Sequence, residues 1–162
     1  MNWDSVLMIM RFKMRKIKYL SSLVCIILIL IYGIHLALIY KTLPEMVPDH
    51  FDFAGNANSY GNRISLIMEP LISIMIIVVM DVVSCFPNLW NYPVKVTEDN
   101  KEFLYNVTLV MVSVIKIIVT VLLMYIGLCS IYSFLPVVLT YVFIILLLVV
   151  CFGSIFIMWR GR

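Results

Sequence analysis

Four apolar runs, each long enough to cross a bilayer, constrain this chain more than any other feature of its sequence. They extend over residues 19–40, 64–86, 103–126 and 134–159. A membrane-spanning helix requires about 20 consecutive apolar residues. The runs also lack the alternation of polar and apolar residues that is typical of barrel strands. We therefore predict an all-α polytopic membrane protein with four antiparallel transmembrane helices.

The composition agrees with a surface that faces lipid. Hydrophobic residues make up 64% of the 162 residues and charged residues only 13%. Soluble domains contain about 25% charged residues, so this chain carries too little charge to cover a water-exposed surface. Its net charge of +3 is also too small to indicate nucleic-acid binding. The bilayer is the first partner that the sequence predicts, and we expect no nucleic-acid partner.

The apolar runs divide the chain into segments. We predict a basic N-terminal segment 1–18, a unit 19–86 (helix 19–40, outer loop 41–63, helix 64–86), a loop 87–102, a helical hairpin 103–159 (helices 103–126 and 134–159) and a tail 160–162. A basic segment before an apolar run is also typical of a signal peptide. This first run is long, however, and no small-x-small cleavage site follows it, so we predict an uncleaved anchor.

The distribution of lysine and arginine predicts the orientation. With the N-terminus in the cytoplasm, the inner segments hold nine of the twelve basic residues and the outer loops hold two, Lys41 and Arg63, while Lys116 lies within a span. Short cytoplasmic loops of membrane proteins carry an excess of basic residues. We therefore predict that both termini are cytoplasmic, in a multi-pass membrane protein.

Three ionisable residues, Glu69, Asp81 and Lys116, lie within the apolar runs. Such residues are costly in lipid and usually face the interior of a bundle. With the predicted helix ends, Glu69 and Lys116 differ by about 7 Å in depth at 1.5 Å per residue, which a lysine side chain can reach. We therefore expect Lys116 to pair with Glu69, and Asp81 to find another neighbour. The pair is consistent either with an ion or proton path or with a purely structural contact.

The remaining reactive residue types form no recognisable site. The four cysteines show no C-x-x-C spacing and have no neighbouring histidine, so we expect neither a bound metal nor a disulfide framework. His35 lies among apolar residues, and we expect it to bond to a neighbour. The sequence contains no G-x-S-x-G, H-E-x-x-H or glycine-rich phosphate-binding motif. We predict that the protein is not an enzyme and binds no cofactor.

The predicted outer loop, residues 41–63, is rich in residues that restrict or redirect the backbone. Pro44 and Pro48 hold the residues before them in extended conformations. Gly55 and Gly61 permit left-handed backbone at two turns. We therefore predict a compact, ordered loop and not a flexible linker.

The acidic and aromatic residues of this loop admit two interpretations. Asp49, His50 and Asp52 are close enough in sequence to bind a cation, but such a group is more often a solvated turn. Phe51 and Phe53 flank Asp52, and we expect both rings to turn toward the helix ends.

The same loop resembles a known family. Its order Leu-Pro-x-x-Val-Pro-x-His-Phe-x-x-x-Gly, followed by Tyr-Gly-Asn-Arg, is similar to the loop motif of the domain of unknown function 1648. The positions that match as they stand are Pro44, Pro48, His50, Phe51, Gly55 and Gly61. Asn58 replaces the aspartate usual in that family, and Arg63 replaces its usual lysine. The segment 91–100 also resembles the Y-P-x-K-I-T-x-E-N motif that precedes the family's third helix.

The resemblance implies a function that the residue patterns by themselves do not. Relatives of this family include the SdpI-type immunity proteins, which protect bacteria from a secreted toxic peptide and signal to a cytoplasmic regulator. By this resemblance we expect an immunity or sensor protein of the bacterial plasma membrane, whose outer loop meets a peptide toxin or an envelope signal. The residues expected to form that binding site are His50, Asp52, Gly55, Gly61 and Arg63.

Two alternatives belong to different functional classes. The first is a small ion- or proton-coupled transporter that uses Glu69, Asp81 and Lys116. The second is an accessory membrane subunit without chemistry of its own, held in a larger complex by its helix faces.

Overall fold

The structure, a computed structural model, describes residues 3–161, with side chains described from residue 16 onward. The helices are α1 (Trp3–Ile39), α2 (Met68–Val83), α3 (Lys101–Tyr132) and α4 (Val137–Arg160), and the strands are β1 (Met46–Phe51) and β2 (Ala57–Asn62). Short 3-10 helices at Tyr40–Thr42 and Arg63–Ile67 flank the strands, and a third covers Pro87–Leu89.

The four-helix class predicted from the apolar runs is confirmed. Within residues 3–161, four segments are long and apolar enough to cross a membrane: Lys16–Thr42, Arg63–Val83, Lys101–Tyr132 and Val137–Arg160. The protein is therefore a multi-pass membrane protein. The direction in which its termini point remains a prediction from the distribution of basic residues.

All four helices have bounds that differ from the sequence prediction. Helix α1 already begins at Trp3, within the segment predicted to precede it, and α2 is confined to Met68–Val83 instead of 64–86. Helix α3 continues to Tyr132, six residues beyond the predicted end at 126. Ser133 then adopts a left-handed backbone with φ 53° and ends the helix, and Pro136 precedes α4. The predicted connection 127–133 therefore lies almost entirely within α3. Gly127 lies inside α3, buried against α1.

The predicted ordered loop between the first two spans is a β-hairpin. Strands β1 and β2 pair antiparallel, with Val47 opposite Gly61 and His50 opposite Ser59, and the register is irregular between Pro48 and Phe51. Val47 and Pro48 are buried, and β1 contacts α3. The hairpin is thus a cap seated on one end of the bundle. We call this the hairpin end; residues 84–100 lie at the opposite end.

Helix α3 forms the centre of the bundle and contacts each of the other three helices. Its buried positions include small or polar residues, among them Thr108, Ser113, Thr120 and Gly127. Small and hydroxyl-bearing residues allow helices in a membrane to approach closely and bond to one another. In α4, all of whose residues are described, Met158 alone is buried. That helix presents most of its surface to lipid.

Candidate functional site

The tip of the hairpin is a turn held by Asp52. Its Oδ1 accepts hydrogen bonds from the backbone N–H groups of Ala54 (2.8 Å) and Asn56 (2.9 Å), and its Oδ2 accepts from the side chain of Asn56 (3.2 Å). These bonds, led by those from Asn56, lower the pKa of the Asp52 carboxyl. Gly55 completes the turn with φ +85°, a conformation that disfavours any side chain.

The base of the hairpin is held by Arg63. Its guanidinium donates to the carbonyl oxygen of Leu43 (2.7 Å) and lies 5.0 Å from the centre of the Tyr40 ring. Gly61 lies against the carboxylate of Asp49, where a Cβ atom would come within 2.5 Å of Oδ2. Arg63 and Gly61 therefore shape the hairpin.

His50 differs from the other four loop residues that were predicted to bind a ligand. Its side chain is exposed and stabilises neither the turn nor the base of the hairpin. Its Nδ1 lies 2.6 Å from Oδ1 of Asn58 on the facing strand. The pair bridges the two strands on the surface of the hairpin. Because Asn58 is the position at which the resembled motif carries an aspartate, the histidine here has a neutral amide as its partner.

The expectation that both phenylalanines turn toward the helix ends is wrong for Phe53. The Phe53 side chain is 92% exposed, whereas Phe51 is half-buried. The Asp52 turn directs the backbone carbonyl of Phe53 toward α4, where it accepts a hydrogen bond from Tyr141 (3.3 Å). Its ring stays outside the bundle.

The acidic residues of the loop do not gather into a ligand set. Asp52 is engaged by its own turn, Asp49 lies against Gly61, and His50 is bonded to Asn58. Among residues 16–161, whose side chains the structure describes, no group of three or more His, Cys, Asp or Glu residues is arranged to hold a metal ion.

The interior of the bundle contains a three-helix ion cluster formed by Lys116, Asp81 and Ser22. Lys116 is 1% exposed, and its Nζ donates to Oδ1 of Asp81 (2.7 Å) and to Oγ of Ser22 (2.7 Å). Ser22 in turn donates to Oδ2 of Asp81 (2.7 Å). The carboxylate thus joins α1, α2 and α3, and every member of the triangle has partners. A charge buried in lipid is tolerated when it is paired in this way.

The predicted pairing of Lys116 with Glu69 is therefore wrong. Measured along α3 from Tyr132, Lys116 lies about 24 Å from the hairpin end, at 1.5 Å per residue. Measured along α2 from Met68, Asp81 lies about 20 Å and Glu69 only about 2 Å from that end. The error came from the assumed end of helix three at residue 126, which placed Lys116 too near the hairpin end.

A second lysine, Lys18, bonds to the backbone of Asp81 near the C-terminal end of α2. Nζ of Lys18 donates to the backbone carbonyl oxygen of Asp81 (2.6 Å) and lies 3.2 Å from Sγ of Cys85. Carbonyl groups at a helix C-terminus carry partial negative charge and attract cations. Lys18 therefore links the C-terminal end of α2 to α1 through the backbone of Asp81, while Lys116 of α3 binds the Asp81 side chain.

Glu69 occupies a separate polar region nearer the hairpin. Its Oε2 and the Oγ of Ser73, one helical turn further on, are both buried without a hydrogen-bond partner among the described residues. Tyr32 lies nearby and donates to the carbonyl oxygen of Leu66 (3.1 Å). Gly127 allows this approach, because a Cβ there would lie 2.4 Å from the Tyr32 hydroxyl.

Comparison with known families shows which family the hairpin region resembles. Residues 26–74 match the model of one family, described as Domain of unknown function (DUF1648). The chain contains a DUF1648 domain. No significant match was found among curated proteins or among solved structures.

The DUF1648 domain contains the C-terminal part of α1 from residue 26 onward, the hairpin and the beginning of α2. His50, Asp52, Gly55, Gly61, Arg63 and Glu69 fall inside the matched residues. Asp81, Lys116 and Lys18 fall outside them. All three residues of the ion cluster therefore lie outside the matched range, although α1 and α2, which carry Ser22 and Asp81, each lie partly inside it.

The loop at the opposite end, whose sequence also resembles the family, lies beyond the match. Tyr92 donates to the carbonyl oxygen of Pro87 (2.9 Å) and stacks on Tyr105 of α3 with ring centres 5.7 Å apart. Burial raises the pKa of Tyr92 to about 12. This loop is docked on α3, and its family likeness remains a prediction.

Sequence reasoning missed several residues around the DUF1648 domain. Ser22 and Lys18 are the partners of Asp81, and Asn58 is the partner of His50. A signal was present for the first two. Ser22 is one of few polar residues in the first apolar run, and Lys18 lies one helical turn before it, so both share one face of α1.

Proposed function

We propose that this protein is an immunity or sensor protein of the bacterial plasma membrane, with the hairpin outside the cell as its recognition element. Its ligand would be a secreted toxic peptide or an envelope signal. The DUF1648 match covers this hairpin, and the family resemblance supplies the immunity role. The proposal assigns no catalytic step to the chain.

The observation that carries the proposal is the ordered hairpin, whose surface exposes a hydrogen-bonded polar pair, His50 and Asn58. The turn at Asp52 and the base at Arg63 fix its shape through local bonds. His50 and Asn58 then present a ring and an amide side by side, 2.6 Å apart, on the exposed surface. A pre-shaped surface loses less conformational entropy on binding than a flexible loop does.

The opposite end supports a role for a second partner. The loop 93–100 and the end of α4 line a cleft of about 730 Å³, whose lining includes Lys95, Asp99 and Trp159. With the predicted orientation this cleft faces the cytoplasm. We propose that it meets a cytoplasmic regulator or anionic lipid headgroups, which basic and aromatic residues at a membrane surface attract.

The proposal is tested by the survival of a toxin-sensitive bacterium exposed to a panel of secreted membrane-active peptides. Strains carry the wild type, no protein, His50→Ala or His35→Ala at matched membrane levels. His35 is the control, because it lies at the same end of the bundle but bonds to Tyr132 of α3 (3.0 Å) instead of to the hairpin.

We expect protection by the wild type and by His35→Ala, and loss of protection in His50→Ala. If the wild type protects against none of the peptides, the immunity proposal is wrong. If both histidine variants protect as well as the wild type, the hairpin pair is not the recognition site.

The ion cluster favours a second candidate, an ion- or proton-coupled transporter or an accessory subunit of one. The observation is the Lys116–Asp81 pair within the spans, in which Lys116 is 1% exposed and the Asp81 side chain is 28% exposed. Proteoliposomes containing the wild type or the double variant Asp81→Asn/Lys116→Met distinguish this role. A pH- or potential-driven flux present in the first and absent in the second would support transport.

A further inference from the structure

The hairpin tip is fastened to the beginning of α4. A Cβ atom at Gly55 would lie 2.5 Å from a methyl group of Val137 and 2.6 Å from the carbonyl oxygen of Leu135. The hydroxyl of Tyr141 donates to the carbonyl oxygen of Phe53 (3.3 Å). These contacts place the tip beside the first turn of α4, because Tyr141 is about 6 Å along the helix from Val137.

The surface beside this tip is a lipid-facing one. Helix α4 is apolar enough to cross a membrane and buries almost none of its side chains in the protein. Around the tip, Val138 is 76% exposed and Phe134 is 68% exposed. In a spanning helix, apolar side chains that contact no protein contact lipid. The tip therefore adjoins the bilayer at the level where α4 begins.

Phe53 extends this surface outward from the helix. Its ring is 92% exposed, although it belongs to the most tightly bonded turn of the hairpin. The turn at Asp52 therefore fixes the Phe53 residue in a position where its ring is exposed. Phenylalanine is among the side chains by which interfacial segments enter the boundary between headgroups and acyl chains, and removing an apolar ring from water is favourable.

We propose that Phe53 inserts into the interfacial region of the bilayer, so that the hairpin tip is a membrane anchor. The occupant of this surface is lipid, because the tip is continuous with the lipid-facing side of α4. The inference goes beyond peptide recognition and does not depend on it. It implies that any ligand of the hairpin is met at the membrane surface.

The test measures the depth of a nitroxide spin label in liposomes of phosphatidylcholine and phosphatidylglycerol. Labels are attached at Phe53→Cys, Ser59→Cys and Val149→Cys, with Cys85 and Cys151 replaced by serine and alanine. Ser59 is an exposed residue of β2, and Val149 is an exposed residue midway along α4. Power saturation compares collisions with oxygen, which concentrates in lipid, and with a water-soluble nickel chelate.

We expect the label at position 53 to favour oxygen by at least threefold over the label at position 59, and to lie shallower than the label at position 149. Equal accessibility to the chelate at positions 53 and 59 would overturn the proposal. A second variant, Phe53→Trp, avoids the cysteine changes. Its added fluorescence should be quenched by lipids brominated near the headgroup, and an absence of quenching would contradict insertion.

Discussion

Asp52 and Asp81 each accept hydrogen bonds on both carboxylate oxygens, but their partners lie at very different distances along the chain. Those of Asp52 are two and four residues away, at Ala54 and Asn56. Those of Asp81 are 35 and 59 residues away, at Lys116 and Ser22. The first aspartate closes a turn, whereas the second ties three helices together.

The contacts of Asp52 therefore stabilise one turn, whereas those of Asp81 stabilise the whole bundle. Loss of the Asp52 bonds frees a few residues at the hairpin tip, which can fluctuate while the bundle stays folded. Loss of Asp81 leaves Lys116 charged, buried and without its carboxylate in the middle of the bundle. Removing one partner of a buried ion pair is far more costly than removing both.

The largest expected effect is that of Asp81→Asn. We expect the free energy of unfolding in detergent micelles to fall by about 3–5 kcal/mol, because the buried Lys116 ammonium loses its counter-ion. The double variant Asp81→Asn/Lys116→Met should recover most of this loss. An Asp81→Asn protein as stable as the wild type would show that the two aspartates do not differ as proposed.

The second prediction concerns another long-range contact, that between Gly127 and Tyr32. Gly127→Ala should lower the free energy of unfolding by about 1–3 kcal/mol, because the new methyl group overpacks the interface of α1 and α3. Gly153→Ala is the matched control, since nothing lies within 4 Å of a Cβ there. The same thermal or denaturant measurement should show Gly153→Ala at least as stable as the wild type. Equal losses in the two variants would contradict the packing argument.

The third prediction moves to the hairpin. Gly55→Ala should destabilise the tip by about 1–3 kcal/mol, because alanine is strained at φ +85° and its methyl group meets Leu135 and Val137. Amide hydrogen exchange should accelerate over residues 46–62 while the helices stay protected. Faster exchange throughout α3 would mean that the hairpin stabilises the whole bundle.

The smallest effect is expected from the titration of Asp52. The pKa of Asp52 is lowered in the folded protein, so its bonds stabilise the turn above the ordinary aspartate pKa of about 3.9. That contribution is lost as the pH falls through the lowered pKa. After correction for intrinsic rates, exchange over residues 52–56 should therefore accelerate below about pH 4.

Asp52→Ala is the control for this titration. Its exchange over residues 52–56 should be fast at every pH and should show no further acceleration in acid. An unchanged pH profile in that variant would assign the titration to another group.

Much of this fold could be predicted because the relevant signals are local. Each apolar run reports its own length, and that is sufficient to predict a spanning helix. Pro48 and Gly55 likewise mark an ordered loop within their own neighbourhood. The pairing of two strands across that loop was missed, since the run Ala57–Asn62 contains asparagine, serine and glycine in place of β-branched residues.

The candidate sites also divide into those whose contacts are local in sequence and those whose contacts are distant. The roles of Asp52 and Gly55 in the turn follow from residues within four positions of each other. The partner of Lys116 did not follow, because it depends on how far three helices extend and how they rotate. An error of six residues at one end of α3 moved Lys116 by about 9 Å, enough to select the wrong acid.

Composition and spacing along single segments are enough to predict that this chain spans a membrane four times, that an ordered segment links the first two spans, and that this segment resembles DUF1648. The assembled helices are needed to find that Asp81 is the counter-ion of Lys116, that Ser22 joins them, and that Phe53 lies outside beside α4. In lipid, apolar side chains are stable on either face of a helix, so hydrophobicity does not select the interior. The buried charges and small residues select it, and their partners are known only once the helices are assembled.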